Sequence, residues 1–305
     1  MKNSRLAAAA AVLGILFLSA LMGVLAKLAL AEVPAFTFAW LQVLSGGVFL
    51  SLYALVVGRN PFRLGLEARE WAAIVTIGLT NFGLVRVLMM MSLERLPVTT
   101  YTFLLGFVSL VTMWMSAIFL AERPTRLQVL GAVLAIFGVW IYFPEIPPPQ
   151  ELTGVVYVFL VVIGLAISNN LTRWLMMRRG ESLPSSMLST LALWAGGIPI
   201  VLAGLTLDWP PPIGGLQNGL IIFANGVVGI AFVLTVFNAI LRILRSYEAS
   251  VLAGSGLVWT ALLAIPILGE RLEGLQVVAI AVMLVGLFLA QLRPGDLRRD
   301  SVGEG

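Results

Sequence analysis

The chain has 305 residues, with 19 Lys and Arg against 15 Asp and Glu; 60% of it is apolar and 11% charged, and its mean hydropathy is +1.01. Soluble proteins average about 45–50% apolar and roughly 25% charged residues, so a soluble globular domain is excluded, and the apolar content also excludes disorder. Cysteine and histidine are both absent, which removes disulfides, thiolate or imidazole metal sites, Ser–His or Cys nucleophiles and histidine proton relays; no cofactor or metal is expected.

A helix needs about 20 mostly apolar residues to cross the hydrocarbon core. Ten such runs follow one another at roughly 6–30, 34–58, 71–93, 97–120, 127–143, 152–174, 184–207, 217–240, 249–269 and 274–292. The first begins after Lys2 and Arg5 and continues to Leu30, beyond the length of a signal-peptide core, and reads as an uncleaved span. Arg59-Asn60-Pro61, Glu122-Arg123-Pro124 and Pro294-Gly295 separate runs with charge and helix breakers. Pro-rich patches at 144–149 and 208–212 read as stiff extended turns. The runs are too long and too uniformly apolar for barrel strands. The expected fold class is an all-α polytopic membrane protein.

Lys and Arg accumulate in cytoplasmic loops. With the N-terminus inside, 15 of the 19 basic residues fall on the cytoplasmic side, Arg95 and Arg271 fall outside, and Lys27 and Arg86 lie within spans. Both termini are therefore expected in the cytoplasm of a cell whose inner (plasma) membrane holds the chain. The basic charge reports topology and gives no sign of a nucleic-acid partner, because it is scattered over separate segments.

The segment from Glu122 to Gly138 matches that from Glu270 to Gly286 at six of 17 positions, at an offset of 148 residues. Both copies stand at the junction of the fourth and fifth helices of a half. Five helices is an odd number, so the second half enters the membrane with opposite orientation. The expected architecture is ten transmembrane helices as two inverted five-helix repeats: 6–143 and 152–292, joined by a Pro-rich external linker at 144–151 and followed by a cytoplasmic tail at 293–305. Inverted repeats are the architecture of many secondary transporters, with the solute site between the halves.

At these residues the chain resembles the EamA-type branch of the drug/metabolite transporter superfamily. The resemblance lies in Leu268-Gly269-Glu270-Arg271-Leu272 with Gln276, in the variant Leu120-Ala121-Glu122-Arg123, and in Leu96-Pro97-Val98-Thr99 and Glu248-Ala249-Ser250 at the start of the preceding helix. Lys27 stands where that family often has a lysine, although Ser19-Ala20 replace its Trp-Gly, and Arg173 is the matching basic residue of the second half. Ser109 and Leu257 stand where many members have proline. The resemblance implies export or exchange of small metabolites, commonly amino acids, by alternating access. It also implies a cavity lined by helices one to four and six to nine.

Arg86 is the main candidate for solute contact. It lies about 12 Å from the outer end of its span, where an arginine costs at least roughly 2.5–3.5 kcal/mol unless it faces water or a partner. A guanidinium there fits a carboxylate or phosphate clamp, or alternatively snorkels outward or caps broken-helix carbonyls. Lys27 is near the outer interface, where snorkelling competes with a solute role. Asn169, one turn before Arg173, and Asn225 are read as solute contacts or as interhelical glue, together with Asn81, Asn170, Asn238 and Gln42. Trp114 and Trp259 fall near the centres of equivalent helices four and nine and flank a cavity or fill volume; Tyr101 and Trp40 are weaker candidates for the same lining. Glu122 and Glu270 read as structural caps. No Asp, Glu or His lies deep within a span.

The expected function is a secondary transporter, not an enzyme, for small anionic or zwitterionic, amino-acid-like solutes; the alternative is a channel or a lipid-transporting membrane protein. The partners are a small-molecule solute and the lipid bilayer, and the chain acts as a monomer or homodimer. Labelling cysteines placed beside Arg123 and Arg271 from either face of sealed vesicles is expected to modify them from opposite sides. Modification from the same side overturns the inverted topology.

Overall fold

The computed structural model describes residues 2–56, 65–119, 125–233 and 246–291. Glu122, Arg123, Asn238 and the tail from 293 lie outside them. The described residues form ten helical segments and no strand. They are α1 (Lys2–Ala29), α2 (Ala35–Val56), α3 (Ala68–Arg95), α4 (Val98–Leu105 and Val108–Phe119), α5 (Arg126–Tyr142), α6 (Pro149–Arg179), α7 (Ser185–Leu207), α8 (Leu216–Phe232), α9 (Ser246–Leu268) and α10 (Gly274–Gln291). Five of them, α2, α3, α4, α6 and α7, are long and apolar enough to cross a membrane; the apolar described parts of the other five are shorter.

Local chemistry sets the starts. Proline at or just before the first turn of α2, α4, α6 and α7 fits a position whose N–H has no helical partner. At α5, Thr125 Oγ1 accepts the Gln128 N–H at 3.3 Å and Gln128 Oε1 accepts the Thr125 N–H at 2.9 Å, a reciprocal capping box. Gln276 Oε1 accepts the Glu273 N–H at 3.0 Å at the start of α10, the same position in the second half.

Two helices depart from α geometry within the bundle. Leu79–Leu84 of α3 and Asn225–Phe232 of α8 are π-helical, and the 148-residue shift carries the end of the first segment onto the end of the second. Helix α4 is broken at Gly106-Phe107, where the Gly106 N–H is shared between the carbonyls of Thr102 and Phe103.

The packing is that of two halves related by exchange. Helix α1 packs on α9 as α6 packs on α4; α3 packs on α6 as α8 packs on α1; α2 packs on α8 as α7 packs on α3. Helices α2 with α7, α4 with α9 and α5 with α10 meet their own counterparts. Corresponding helices run in opposite directions: the C-terminal end of α1 lies beside that of α3, held by Lys27, and the N-terminal end of α6 approaches the same place, with Gly154 against Arg95 and Leu96.

Glycine makes the closest crossings. A Cβ on Gly46 of α2 would stand 2.8 Å from the Gly226 carbonyl oxygen of α8, and one on Gly78 of α3 would stand 2.8 Å from the Gly196 backbone nitrogen of α7. These crossings are equivalent, since Gly46-Gly47 and Gly196-Gly197 occupy matching places in α2 and α7. The α5–α10 pair repeats the pattern, with a Cβ on Gly286 meeting the Gly131 carbonyl oxygen at 2.7 Å and one on Gly138 meeting that of Ala279 at 3.1 Å. The shift maps one contact onto the other. In lipid, where apolar side chains gain little from leaving the solvent, such close approach is what holds helices together. The main buried core spans α1 to α4 and α6 to α9, while α5 and α10 share a smaller core with α4 and α9 around Phe103, Tyr142 and Met283.

Gly196→Ala is expected to lower the melting temperature of the detergent-purified chain by the equivalent of about 1–3 kcal/mol, because the methyl has no space beside Gly78. Gly23→Ala, with nothing within 4 Å, is the near-neutral control.

Candidate functional site

Arg86 is the second residue after the π segment of α3, nine residues, or about 13 Å, from the end of that helix. Its Nε is buried with no hydrogen-bond acceptor, and the guanidinium carbon lies 5.6 Å from the centre of the Phe82 ring. Tyr101, 8% exposed on α4, lies within electrostatic reach of it. No carboxylate among the described residues pairs with Arg86. A cation seated on an aromatic face, with an unused donor and no counter-ion, has the chemistry of an anion-binding group.

Polar amides bridge the halves near the π segments. Asn225, the first residue of the α8 segment, donates to the Met22 carbonyl of α1 at 2.9 Å and accepts from Gln42 Nε2 of α2 at 3.3 Å. Asn81, inside the α3 segment, donates to Ser168 Oγ of α6 at 3.3 Å. Thus each half sends an Asn from its π segment to the first helix of the other half. Gln42 Oε1, Asn81 Oδ1 and Asn170 Oδ1 remain buried without donors, so hydrogen-bonding capacity is left over near the helices that carry Arg86.

The other sequence-predicted residues are dispersed. Lys27 Nζ donates to the carbonyls of Leu93, Glu94 and Leu96 at 2.6, 3.1 and 2.9 Å, placing a positive charge on the C-terminal end of α3. Asn169 reaches Thr112 Oγ1 of α4 at 3.5 Å. Trp259 meets Phe17 of α1 edge-on at 5.5 Å with its indole N–H buried and unpartnered, whereas Trp114 is 46% exposed. The two tryptophans have different surroundings because they are not equivalent: the 148-residue shift carries Trp114 onto Leu262, which is itself exposed, and Trp259 stands three residues earlier. Trp40 is buried against Gly204 and donates to Asp208 at 2.8 Å, joining α2 to the end of α7. A groove of about 430 Å³ between α2 and α8, lined by Leu44, Val48, Phe49, Ile222 and Phe223, is apolar, and none of the predicted site residues lines it.

Glu270 has a definite partner. Its carboxylate accepts the N–H groups of Val98 and Thr99 at 2.6 and 3.2 Å and the Thr99 hydroxyl at 2.7 Å, capping the N-terminal end of α4. The turn between α3 and α4 is thus held by a cation at its carbonyl side and an anion at its amide side, each matched to the local helix dipole.

Sequence reasoning missed a cluster at the opposite end. Glu70, fully buried in the first turn of α3, faces Arg179 of α6 in a forked pair, Nε to Oε1 at 2.6 Å and Nη2 to Oε2. Arg178 Nε lies 3.3 Å from Glu70 Oε1, and its Nη2 bonds Glu67 Oε2 at 2.6 Å. The Glu67 N–H also donates to Glu70 Oε2 at 2.8 Å. Glu67 and Glu70 at helical spacing before an apolar run were the available signal; the arginines read as topology alone.

The sequence profile described as the EamA-like transporter family matches residues 6–143 and again 152–292. The chain belongs to the EamA-like transporter family. No curated protein sequence matches it. A solved structure described only as "Crystal structure of protein" shares the transporter's fold with a TM-score of 0.63 at 19% identity, covering 92% of this chain and 97% of that one. As a multi-pass membrane transporter, the chain has a small-molecule solute and the lipid bilayer as its partners. In this transporter, Glu270→Ala is expected to lower the melting temperature by the equivalent of about 1 kcal/mol through loss of the α4 cap. Glu94→Ala, which removes an exposed pair with Arg95, is expected to leave it nearly unchanged.

Proposed function

We propose that the chain is a secondary transporter of the inner membrane, with both termini cytoplasmic, that exports or exchanges small anionic or zwitterionic, amino-acid-like metabolites by alternating access. The repeats are taken as 6–143 and 152–292, with the linker 144–151 external and the tail 293–305 cytoplasmic. The observation that carries the reading is Arg86: a cation about 13 Å inside the bundle with a buried, unpartnered N–H. A solute carboxylate supplies the acceptor that the protein leaves out, in the forked geometry a guanidinium favours. Tyr101 and the spare amide oxygens of Gln42 and Asn81 offer polar contacts for the rest of such a solute. Asn225 and Asn169 belong to the interhelical bonding that positions this region, and Lys27 to the frame around the α3–α4 turn.

Alternating access is supported by the exchange symmetry. If the two halves trade conformations, the same contacts rebuild with the opening on the other side. A single chain carries both halves, so a monomer suffices.

Purified protein in proteoliposomes is expected to show saturable, trans-stimulated uptake of a carboxylate solute; a channel shows no trans-stimulation. Arg86→Ala is expected to reduce uptake at sub-saturating solute by a factor of roughly 10–100, the worth of a charge-assisted hydrogen bond, and Arg86→Lys to retain part of it. Unchanged affinity and rate in a folded Arg86→Ala protein overturns the clamp.

A further inference from the structure

The equivalent contacts of the two halves differ in charge at one place. The shift of 148 carries Glu70, at the start of α3, onto Asn218, at the start of α8. The α1–α6 correspondence that pairs Lys27 with Arg173 also pairs Glu32 with Arg178. The structure joins one member of each pairing to its partner from the other: Glu70 to Arg178, and Asn218 to Glu32. Asn218 Nδ2 donates to Glu32 Oε2 at 2.8 Å, joining α8 to the end of α1 at the Lys27 end of the bundle. Glu70 is held by Arg178 and Arg179, joining α3 to the end of α6 at the opposite end. Both contacts tie one half to the other, at opposite ends of the bundle, so under alternating access each opposes the opening of its own end.

They are unequal. One is a single hydrogen bond between a carboxylate and a neutral amide. The other buries a carboxylate completely among two guanidinium groups and a backbone N–H, with Glu67 pairing Arg178 beside it and Gly65 O accepting from Arg179 Nη2 at 2.9 Å. Parting the helices there breaks a forked charge-assisted pair and a second guanidinium contact together, whereas the other end breaks one hydrogen bond.

We propose that Glu67, Glu70, Arg178 and Arg179 form an ionic lock on the cytoplasmic end and that its neutral counterpart, Glu32 with Asn218, leaves the external end the easier to open. The empty transporter therefore rests with its cytoplasmic end closed, and each inward opening has to release Glu70 from α6. This inference rests on the alternating-access reading.

The chain contains no cysteine, so single reporters can be placed in the full-length protein. Ala73 and Ile221 are both buried, lie one turn inside Glu70 and Asn218, and are related by the same shift. Labelling Ala73→Cys and Ile221→Cys with a water-soluble maleimide in lipid nanodiscs, where both faces are accessible, reads the opening of each end. Glu70→Gln is expected to speed labelling at position 73 roughly tenfold and to slow it at 221, as a shift between two exclusive states requires. Asn218→Arg, which creates an ion pair with Glu32, is expected to slow labelling at 221 and speed it at 73. The inverted pair Glu70→Arg with Arg179→Glu is expected to return both rates toward the parent. Unchanged rates, a rise at both positions together, or failure of the inverted pair to restore them overturns the lock. If Glu70→Gln does not fold, Asn218→Arg at the other end decides alone. Trans-stimulated uptake by the unaltered protein tests the reading beneath: its presence with unmoved labelling rejects the lock only, and its absence rejects alternating access itself.

Discussion

Two backbone crossings, Gly46 on Gly226 and Gly78 on Gly196, set the distance between the halves of the bundle. Any side chain at these positions would push α2 from α8 and α3 from α7, and the amides that bridge the halves would lose their reach. Gln42 to Asn225 is already 3.3 Å, as is Asn81 to Ser168, so little separation is tolerated. The crossings also border the π segments, whose irregular backbone is permissible at membrane depth only where neighbouring helices enclose it. The interior polar groups, Arg86 included, depend on that enclosure.

The helix ends are handled by electrostatics. Lys27 on the carbonyls ending α3 and Glu270 on the amides starting α4 pin a turn whose backbone groups would otherwise be left unsatisfied. Glu270 of the repeated Glu-Arg segment is therefore architectural, and Gln128 and Gln276, which follow that segment at fixed spacing, cap the helices they begin.

Much of the architecture was legible in the sequence because its signals are coarse: the apolar runs, the Pro and charged punctuation, and the repeated Glu-Arg segment. Glu270 as a cap was legible for the same reason. The site was less so. When a helix is apolar on every side, periodicity no longer marks which face is buried, so Trp114 and Trp259, three residues out of register, looked comparable although one is exposed and the other half-buried. Glu70 lay at a span edge where charges are ordinary, and the arginines that seal it were indistinguishable by sequence from those that merely orient the chain. Arg86 stood out because an isolated cation at depth has no routine explanation, and the structure leaves its Nε unpartnered.

A π turn holds one residue more than an α turn, so everything beyond it is rotated by about 100° relative to an unbroken helix. Arg86 is the second residue after such a turn in α3. Its direction is thus set by the turn itself: wind 79–84 as α-helix with every residue kept and the guanidinium swings about 100° around the cylinder. A turn of this kind therefore aims Arg86 without any change to the residues beyond it.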